Sequence, residues 1–280
     1  MKNIGFIGLG LIGGSLAKAT RENTSYAIYG ADNCKSVIDR ALEENIIDYE
    51  LCDDNAGNLD FLIVTLYPSD VDDVITRMAG FLKPGCIVVD STGVKECVCN
   101  ALSRKLNEKN IFFVGGHPMA GKEVSGYANS EAGLFCNASM ILCRDDYTNE
   151  EALDKARDFY KEIGFNKVVV TTPKIHDEII AYTSQMAHVV SSAYIKSPTL
   201  SKRQGFSAGS YQDMTRVARL NENVWADLFL ANEEALLKEI DIFIENMQEY
   251  RNALALRDRE TLVGLLAKGR ELKVADDDAQ

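Results

Sequence analysis

The amino-acid sequence predicts an α/β domain with a mostly parallel sheet, followed by an all-α domain. Short apolar runs alternate with amphipathic segments of helix length as far as residue 172. A glycine-rich turn joins the first of these runs to the first helical segment. After Pro173 we find no convincing strand pattern, and long segments follow the 3.6-residue period of a helix. We therefore expect one domain at residues 1–172 and a helical one at 173–280.

The first part of the chain carries the strand signals. Strands are predicted at Ile4–Ile7, Tyr26–Tyr29, Phe61–Leu66, Cys86–Val89, Ile111–Val114, Met140–Leu142 and Lys167–Val170. Helices between them are predicted at Leu11–Arg21, Val71–Phe81 and Val94–Leu106, among others. Short buried strands that alternate with helices are typical of a parallel sheet covered on both faces.

The second part of the chain is predicted to be helical. Its apolar periodicity indicates long helices at Ile175–Lys196, Asn221–Met247 and Asn252–Leu266. The composition of residues 201–210 favours a loop, and the acidic tail at 274–280 is expected to be frayed.

Composition excludes several classes of protein. Of the 280 residues, 46% are hydrophobic and 26% charged, which is the balance of a soluble globular protein. No apolar run approaches the roughly 20 residues that a membrane span needs. The net charge of −12 argues against nucleic acid as a partner. The seven scattered cysteines form no C-x-x-C pair, so we expect no metal site and a cytoplasmic protein without a signal peptide.

The glycine-rich turn is the strongest local signal. Gly8-Leu9-Gly10-Leu11-Ile12-Gly13 has G-x-G-x-x-G spacing between a predicted strand and a predicted helix, where backbone amides can approach a pyrophosphate. Asp32 follows 19 residues beyond Gly13, where a carboxylate accepts hydrogen bonds from a ribose and repels a 2′-phosphate. We therefore expect a Rossmann-type domain that binds NAD rather than NADP. A purely structural turn and an FAD site are the alternatives.

His117 is the first candidate for chemistry. It lies just beyond the predicted strand Ile111–Val114, and ligands of open α/β sheets bind at the carboxyl ends of strands. A neutral imidazole there could accept the proton of a hydroxyl whose carbon loses a hydride. A loop histidine bonded to backbone is an equally good interpretation of the sequence alone.

Two further candidates lie in the helical part. His188 belongs to a stripe of small and polar side chains that faces either a wet cavity or the solvent, whereas His176 is expected to cap its helix or lie on the surface. Arg216 could clamp a substrate carboxylate, or it could be a solvated arginine paired with Asp213.

Residues near the ends of the third and fourth predicted strands complete the candidates. Lys95 could hold an anion, and the hydroxyls of Ser91 and Thr92 could touch nicotinamide or substrate. Thr65 is expected to contact the cofactor as well. A plain helix cap is the alternative interpretation of the segment from Asp90 to Lys95.

In these residues the chain resembles the prephenate dehydrogenase family, which makes 4-hydroxyphenylpyruvate for tyrosine. The resemblance spans nearly the whole chain and rests on the glycine motif with its aspartate, D-x-x-x-V-K, G-G-H-P-M-A-G, S-x-x-x-H and D-x-T-R-x-A. It implies an NAD domain, a helical dimerisation domain that makes a homodimer, and an active site between them. It also implies that His117 is catalytic and that the substrate, prephenate or arogenate, is bound by a set of further residues. These are His188, Arg216, Gln185, Glu123 and Asp213, with Trp225 lining or gating the site. From the argument on their own segment, we expect Thr92 and Lys95 to contact the substrate as well.

The chain departs from the family pattern in three places. Gly93 stands where relatives often have a serine that assists the histidine, so a neighbouring hydroxyl or a water is expected to substitute, or the assistance is absent. Gln185 stands where many relatives have histidine, which leaves prephenate and arogenate both open. We also expect neither a regulatory ACT module nor a chorismate mutase segment, although tyrosine remains a candidate feedback inhibitor.

Several other functions stay open at this point. An arogenate dehydrogenase or a dual-specificity cyclohexadienyl dehydrogenase would share these motifs. A β-hydroxyacid dehydrogenase or imine reductase would have a catalytic lysine or aspartate on the interdomain helix, where this chain has His188 and only a terminal Lys196. A non-catalytic module that senses NAD belongs to a different class.

Overall fold

The computed structural model describes residues 2–122 and 124–279. Within them, eight strands form one sheet in the order β3-β2-β1-β4-β5-β6-β7-β8. The strands are β1 (Asn3–Ile7), β2 (Ala27–Ala31), β3 (Tyr49–Glu50), β4 (Phe61–Val64), β5 (Ile87–Asp90), β6 (Phe112–Pro118), β7 (Ser139–Cys143) and β8 (Lys167–Thr171). Neighbouring strands are parallel except at β6 and β7, which pair antiparallel.

Helices connect the strands and make up the chain beyond β8. They are α1 (Leu11–Asn23), α2 (Lys35–Glu43), α3 (Pro68–Met78), α4 (Glu96–Asn107), α5 (Glu150–Glu162), α6 (Pro173–Ile180), α7 (Met186–Tyr194), α8 (Gly209–Thr215), α9 (Glu222–Ala231), α10 (Glu233–Ala255) and α11 (Arg259–Asp278). A π-helical segment, Ala181–Gln185, lies between α6 and α7.

The sheet is covered on both faces, as the sequence predicts. Successive side chains of a strand point to opposite faces. In β4, Phe61 and Ile63 belong to one apolar cluster, whereas Leu62 and Val64 belong to another. The α/β fold followed by helices is therefore confirmed, and each of the seven predicted strands overlaps an observed one.

Some predicted elements are wrong. The predicted helix Asn221–Met247 is two helices, because the backbone leaves helical geometry at Asn232. The predicted helix Asn252–Leu266 is interrupted at residues 256–258. The loop expected at 201–210 contains the end of a 3₁₀ turn, Pro198–Lys202, and the start of α8. The strand β3 escaped prediction because it has two exposed residues and no apolar run.

The chain packs as two compact units, one up to Asn232 and one from Glu233 onward. In the second unit α10 and α11 contact each other, and the Tyr250 hydroxyl donates a hydrogen bond to the Leu265 carbonyl. The domain boundary near residue 172 stays a prediction. No helix among the described residues has the length and apolar character needed to cross a membrane.

A buried ion pair closes the end of β5. Asp90 and Lys95 are both fully buried, and the Lys95 ammonium is paired with the Asp90 carboxylate. Lys95 also donates to the Thr92 hydroxyl over 2.8 Å. The other Asp90 oxygen accepts from the Gly116 amide at 3.0 Å, so the pair ties β5 to β6 one residue before His117.

This arrangement corrects the expectation that Lys95 holds a substrate anion. Its ammonium has no exposed surface, and its charge is already neutralised by Asp90. The Thr92 hydroxyl is also bonded within the protein, since it lies 2.5 Å from the Asp90 carboxylate and 2.8 Å from the Val94 carbonyl. Lys95 therefore supports the surrounding structure instead of binding an anion, and the Thr92 hydroxyl is held by these bonds.

Lys95→Met should destabilise the protein rather than selectively weaken substrate binding. Removal of one partner of a buried ion pair leaves an uncompensated charge, which costs about 3–5 kcal/mol in free energy of unfolding. Urea denaturation measures this loss. Lys105→Met, on the exposed face of helix α4, which Lys95 precedes as the N-cap residue, is the matched control and should cost within about 1 kcal/mol. A Lys95→Met protein of wild-type stability with a raised KM would contradict this structural role.

Candidate active site

At two positions of the turn after β1, only glycine is compatible with the structure. Gly8 has φ of +86°, in the left-handed region, and its carbonyl accepts a 2.5 Å hydrogen bond from the Thr65 hydroxyl. A Cβ on Gly13 would lie 1.9 Å from the Gly8 carbonyl oxygen, so the turn and α1 pack without room for a side chain. A Cβ on Gly10 would meet nothing within 4 Å, which leaves the outer side of the turn open to a ligand.

Asp32 is held against this turn. One carboxylate oxygen accepts from the Leu9 amide at 2.7 Å, and the other accepts from the Cys34 amide at 2.9 Å. The Leu9 side chain itself is fully buried, so Leu9 contributes its backbone amide rather than a ligand contact. The half-buried Asp32 carboxylate retains lone pairs toward the cleft, where it can accept from ribose hydroxyls and repel a 2′-phosphate.

A cleft of about 910 Å³ runs along the turn. The predicted cofactor contacts that line it are Gly8, Gly10, Leu11, Ile12, Gly13, Asp32, Thr65 and Ser91, and Thr92 lines it as well. Sequence reasoning missed Tyr67 and Arg77 on its wall, because neither belongs to a motif. The open glycine turn at the N-terminus of α1, with Asp32 beyond it, fits a dinucleotide.

A second cleft of about 380 Å³ adjoins the first, and the two share Gly93 and Leu228. His117, Ser184, Gln185, His188 and Trp225 are among its lining residues. The structure thus brings three of the predicted substrate-site residues, and Trp225, into one cavity beside the cofactor cleft. A substrate in the second cleft would lie next to a nicotinamide in the first.

His117 lies near the end of β6, half-buried, with its ring in the second cleft. Its Nδ1 lies 2.9 Å from Nε2 of His176. Burial, together with His176 and the Lys95 ammonium nearby, holds the pKa of His117 well below its usual range. At neutral pH the ring is therefore uncharged and can accept a proton.

The partner of His117 is His176, which the sequence analysis expects to cap its helix or to lie on the surface. His176 is buried, and its Nδ1 lies 2.6 Å from an oxygen of the buried Asp177. The Asp177 carboxylate in turn accepts from the backbone amides of Lys95, at 2.8 Å, and Glu96, at 2.7 Å. In the sequence, the only sign of this arrangement is that His176 and Asp177 are adjacent, and adjacency does not predict that they are buried.

Position 93 supplies no hydroxyl to His117. Gly93 offers no side chain, although a Cβ there would lie 4.0 Å from the His117 ring. The neighbouring hydroxyls do not substitute, because Ser91 donates to the Val64 carbonyl and Thr92 bonds to Asp90.

His188 faces the same cleft from α7. Its Nδ1 lies 3.0 Å from the Val217 carbonyl, to which it donates, and its ring lies against Trp225 with centroids 3.5 Å apart. Burial lowers the pKa of His188 and the Arg216 guanidinium lowers it further, while the bond to Val217 opposes them. Arg216 is therefore close to His188, although it and Asp213 are exposed and neither lines the cleft in the described part of the chain.

Gln185 lines the cleft, but its amide group is occupied. Its oxygen accepts from the Asn232 side chain at 2.8 Å, and its nitrogen donates to the Leu228 carbonyl at 3.1 Å. The π-helical segment also alters the predicted polar stripe, since Ala181 and Ser191 are buried while Ser184 and His188 reach the cavity. Glu123, the remaining predicted substrate contact, lies outside the described residues.

Comparison with known proteins agrees with this geometry. The profile described as "Prephenate dehydrogenase, nucleotide-binding domain" matches residues 16–170, and "Prephenate dehydrogenase, dimerization domain" matches residues 172–268. The cyclohexadienyl dehydrogenase of Zymomonas mobilis is 32% identical, over 98% of this chain and 96% of its own. The prephenate dehydrogenase of Lactococcus lactis is 27% identical, over 98% of this chain and 77% of its own.

A solved structure shares the whole architecture. The prephenate dehydrogenase of Aquifex aeolicus, in complex with hydroxyphenyl propionate and NAD⁺, is 27% identical with a TM-score of 0.87. The match covers 100% of this chain and 99% of that one. The two profiles and the full-length relatives, taken with the glycine turn and the histidine cleft, show that this chain belongs to the prephenate dehydrogenase family.

Proposed function

We propose that this protein oxidises prephenate with NAD⁺ and releases CO₂ and 4-hydroxyphenylpyruvate. The observation that carries the proposal is the position of His117, an uncharged imidazole in a small cleft that shares two residues with the dinucleotide cleft. The structure of the Aquifex relative holds NAD⁺ and hydroxyphenyl propionate, and it therefore supports both the proposed cofactor and the proposed class of substrate.

Residues of the first cleft would hold the cofactor. The amides of the turn from Gly8 to Gly13 and the N-terminus of α1 would take the pyrophosphate, and Asp32 the adenosine ribose. When bound, the nicotinamide accepts the hydride that leaves C4 of the substrate ring. Asp32 supports NAD over NADP because a 2′-phosphate would meet its negative charge.

His117 supplies the base in this proposal. It accepts the C4 hydroxyl proton while the ring carboxylate leaves as CO₂ and the ring becomes aromatic. The proton can return to the same oxygen, so the site consumes no net acid or base. Because aromatisation drives the reaction, a weak base in the correct position suffices, and positioning is the larger task.

The substrate is a dianion, and the protein carries a net charge of −12. A local cation is therefore needed to bind it. Lys95 is fully buried and lines neither cleft. Arg216 stands at the arginine of the D-x-T-R-x-A motif and lies close enough to His188 to lower its pKa. We assign Arg216 to a substrate carboxylate, beside His188.

Arogenate is the second candidate substrate, alone or together with prephenate. The Zymomonas relative is named a cyclohexadienyl dehydrogenase, and the two substrates share the ring on which His117 acts. The bonds of the Gln185 amide to Asn232 and Leu228 favour neither substrate.

A homodimer is part of the proposal. Residues 172–268 match a dimerisation domain, and apolar side chains on α10 and α11 are exposed in the single chain. They include Ile242, Phe243, Met247, Leu254 and Leu266. Exposed apolar surface of this kind marks a protein contact. Inhibition by tyrosine stays a prediction.

NADH absorbance with prephenate or arogenate tests the function directly. We expect NADH to form with at least one of them, and His117→Asn to lower kcat by about 10²–10⁴-fold, the usual contribution of a general base. The KM for NAD⁺ should stay near the wild-type value, since His117 is not among the residues that line the cofactor cleft. Binding of NAD⁺ without turnover on either substrate would favour a sensing module, and wild-type turnover by His117→Asn would remove His117 from its role.

Arg216→Ala should mainly raise the KM for the substrate. A charge-assisted hydrogen bond contributes about 1.5–3 kcal/mol, which corresponds to roughly 10- to 100-fold in KM. Arg219→Ala makes the same charge change three residues along the chain and is the matched control, with an expected change of about twofold or less. Equal KM values for the two variants would argue against the carboxylate contact.

A further inference from the structure

We infer that His176 and Asp177 fix the tautomer of His117, so that its Nε2 presents a lone pair to the substrate hydroxyl. Both are positioning residues, because they act through His117 and contact neither cleft among the described lining residues. The inference rests on the proposed function and names the residues that prepare its base.

The direction of the hydrogen bonds follows from the carboxylate. An ionised carboxylate only accepts hydrogen bonds, and Asp177 already accepts from two backbone amides. His176 Nδ1, which lies 2.6 Å from Asp177, must therefore carry its proton. With this single proton on His176, Nε2 is the acceptor, and it lies 2.9 Å from His117 Nδ1. His117 must donate from Nδ1, which leaves Nε2 unprotonated.

The hydrogen-bonded groups Asp177 and His176 also stabilise His117 after it has taken up a proton. When the hydroxyl O–H bond breaks and an Nε2–H bond forms, His117 becomes an imidazolium that still donates from Nδ1 to His176. No proton has to leave through His176. The negative charge of Asp177, one ring away, favours the imidazolium in a buried site where electrostatic effects are strong.

The position of Asp177 is fixed from several sides. Its carboxylate caps the start of α4 through the amides of Lys95 and Glu96, and its backbone carbonyl accepts from the Asn232 side chain at 2.9 Å. A change at Asp177 would therefore disturb α4 as well as His176. His176, whose ring nitrogens bond only to His117 and Asp177 among the described residues, is the cleaner position to change.

Two substitutions separate the two bonds of His176. The nitrogen of an asparagine side chain can take the place of Nδ1 and keep the bond to Asp177, but asparagine is too short to reach His117. The oxygen of a glutamine side chain can take the place of Nε2 and still accept from His117. The pair His176→Asn and His176→Gln therefore tests the contact with His117 against a general packing role.

Long-range ¹H–¹⁵N correlation spectra of the free dimer report the tautomer of each of the three histidines. We expect His117 of the wild type to carry its proton on Nδ1, and His176→Asn to shift it toward Nε2. With the better substrate, His176→Asn should lose about 10²-fold in kcat with KM within about twofold, whereas His176→Gln should stay within about tenfold of wild type.

A wild-type His117 protonated on Nε2 would overturn the inference, and that spectrum requires no variant to fold. A tautomer unchanged in a folded His176→Asn protein, or equal losses of kcat in both variants, would overturn it as well. If the wild type oxidised neither prephenate nor arogenate, the proposed function would fail, whereas the spectra of the free protein would still decide the tautomer.

Discussion

Lys95 joins the two networks that hold His117. Its buried ammonium pairs with Asp90, whose other oxygen binds the Gly116 amide, and its backbone amide donates to Asp177. Lys95 thus holds both the strand that carries His117 and the pair His176 and Asp177, of which His176 contacts the His117 ring. A buried ion pair contributes little net stability over an apolar pair, but its directional bonds can fix one arrangement, and here that arrangement is the site.

The distribution of charge in the site follows from this pairing. Because Asp90 neutralises Lys95, a buried cation close to His117 does not bind the anionic substrate. Burial of the ring disfavours a positive charge at His117, and the nearby His176 and Lys95 act in the same direction. His117 is therefore a ready proton acceptor, whereas in our proposal the attraction for substrate comes from Arg216, which lies close to His188.

The sequence predicted those features that depend on local pattern. The strands, the glycine turn and the position of His117 follow from apolar runs and glycine spacing within a few residues. The burial of Lys95 and His176 could not be predicted in this way, because the contact between Lys95 and Asp177 joins residues 82 positions apart. The break at Asn232 has a similar origin, since its side chain bonds to Asp177 and Gln185 rather than to its own helix.

The pH dependence of kcat/KM tests the central claim, that an uncharged His117 takes the substrate proton. Only the neutral ring is active, so kcat/KM should fall as the pH drops through the pKa of His117. Because that pKa is lowered, the fall should lie below about 6.5, the ordinary histidine value, and should vanish in His117→Asn although His188 remains. An acidic limb centred at or above about 6.5, or one that persists unchanged in His117→Asn, would contradict the account.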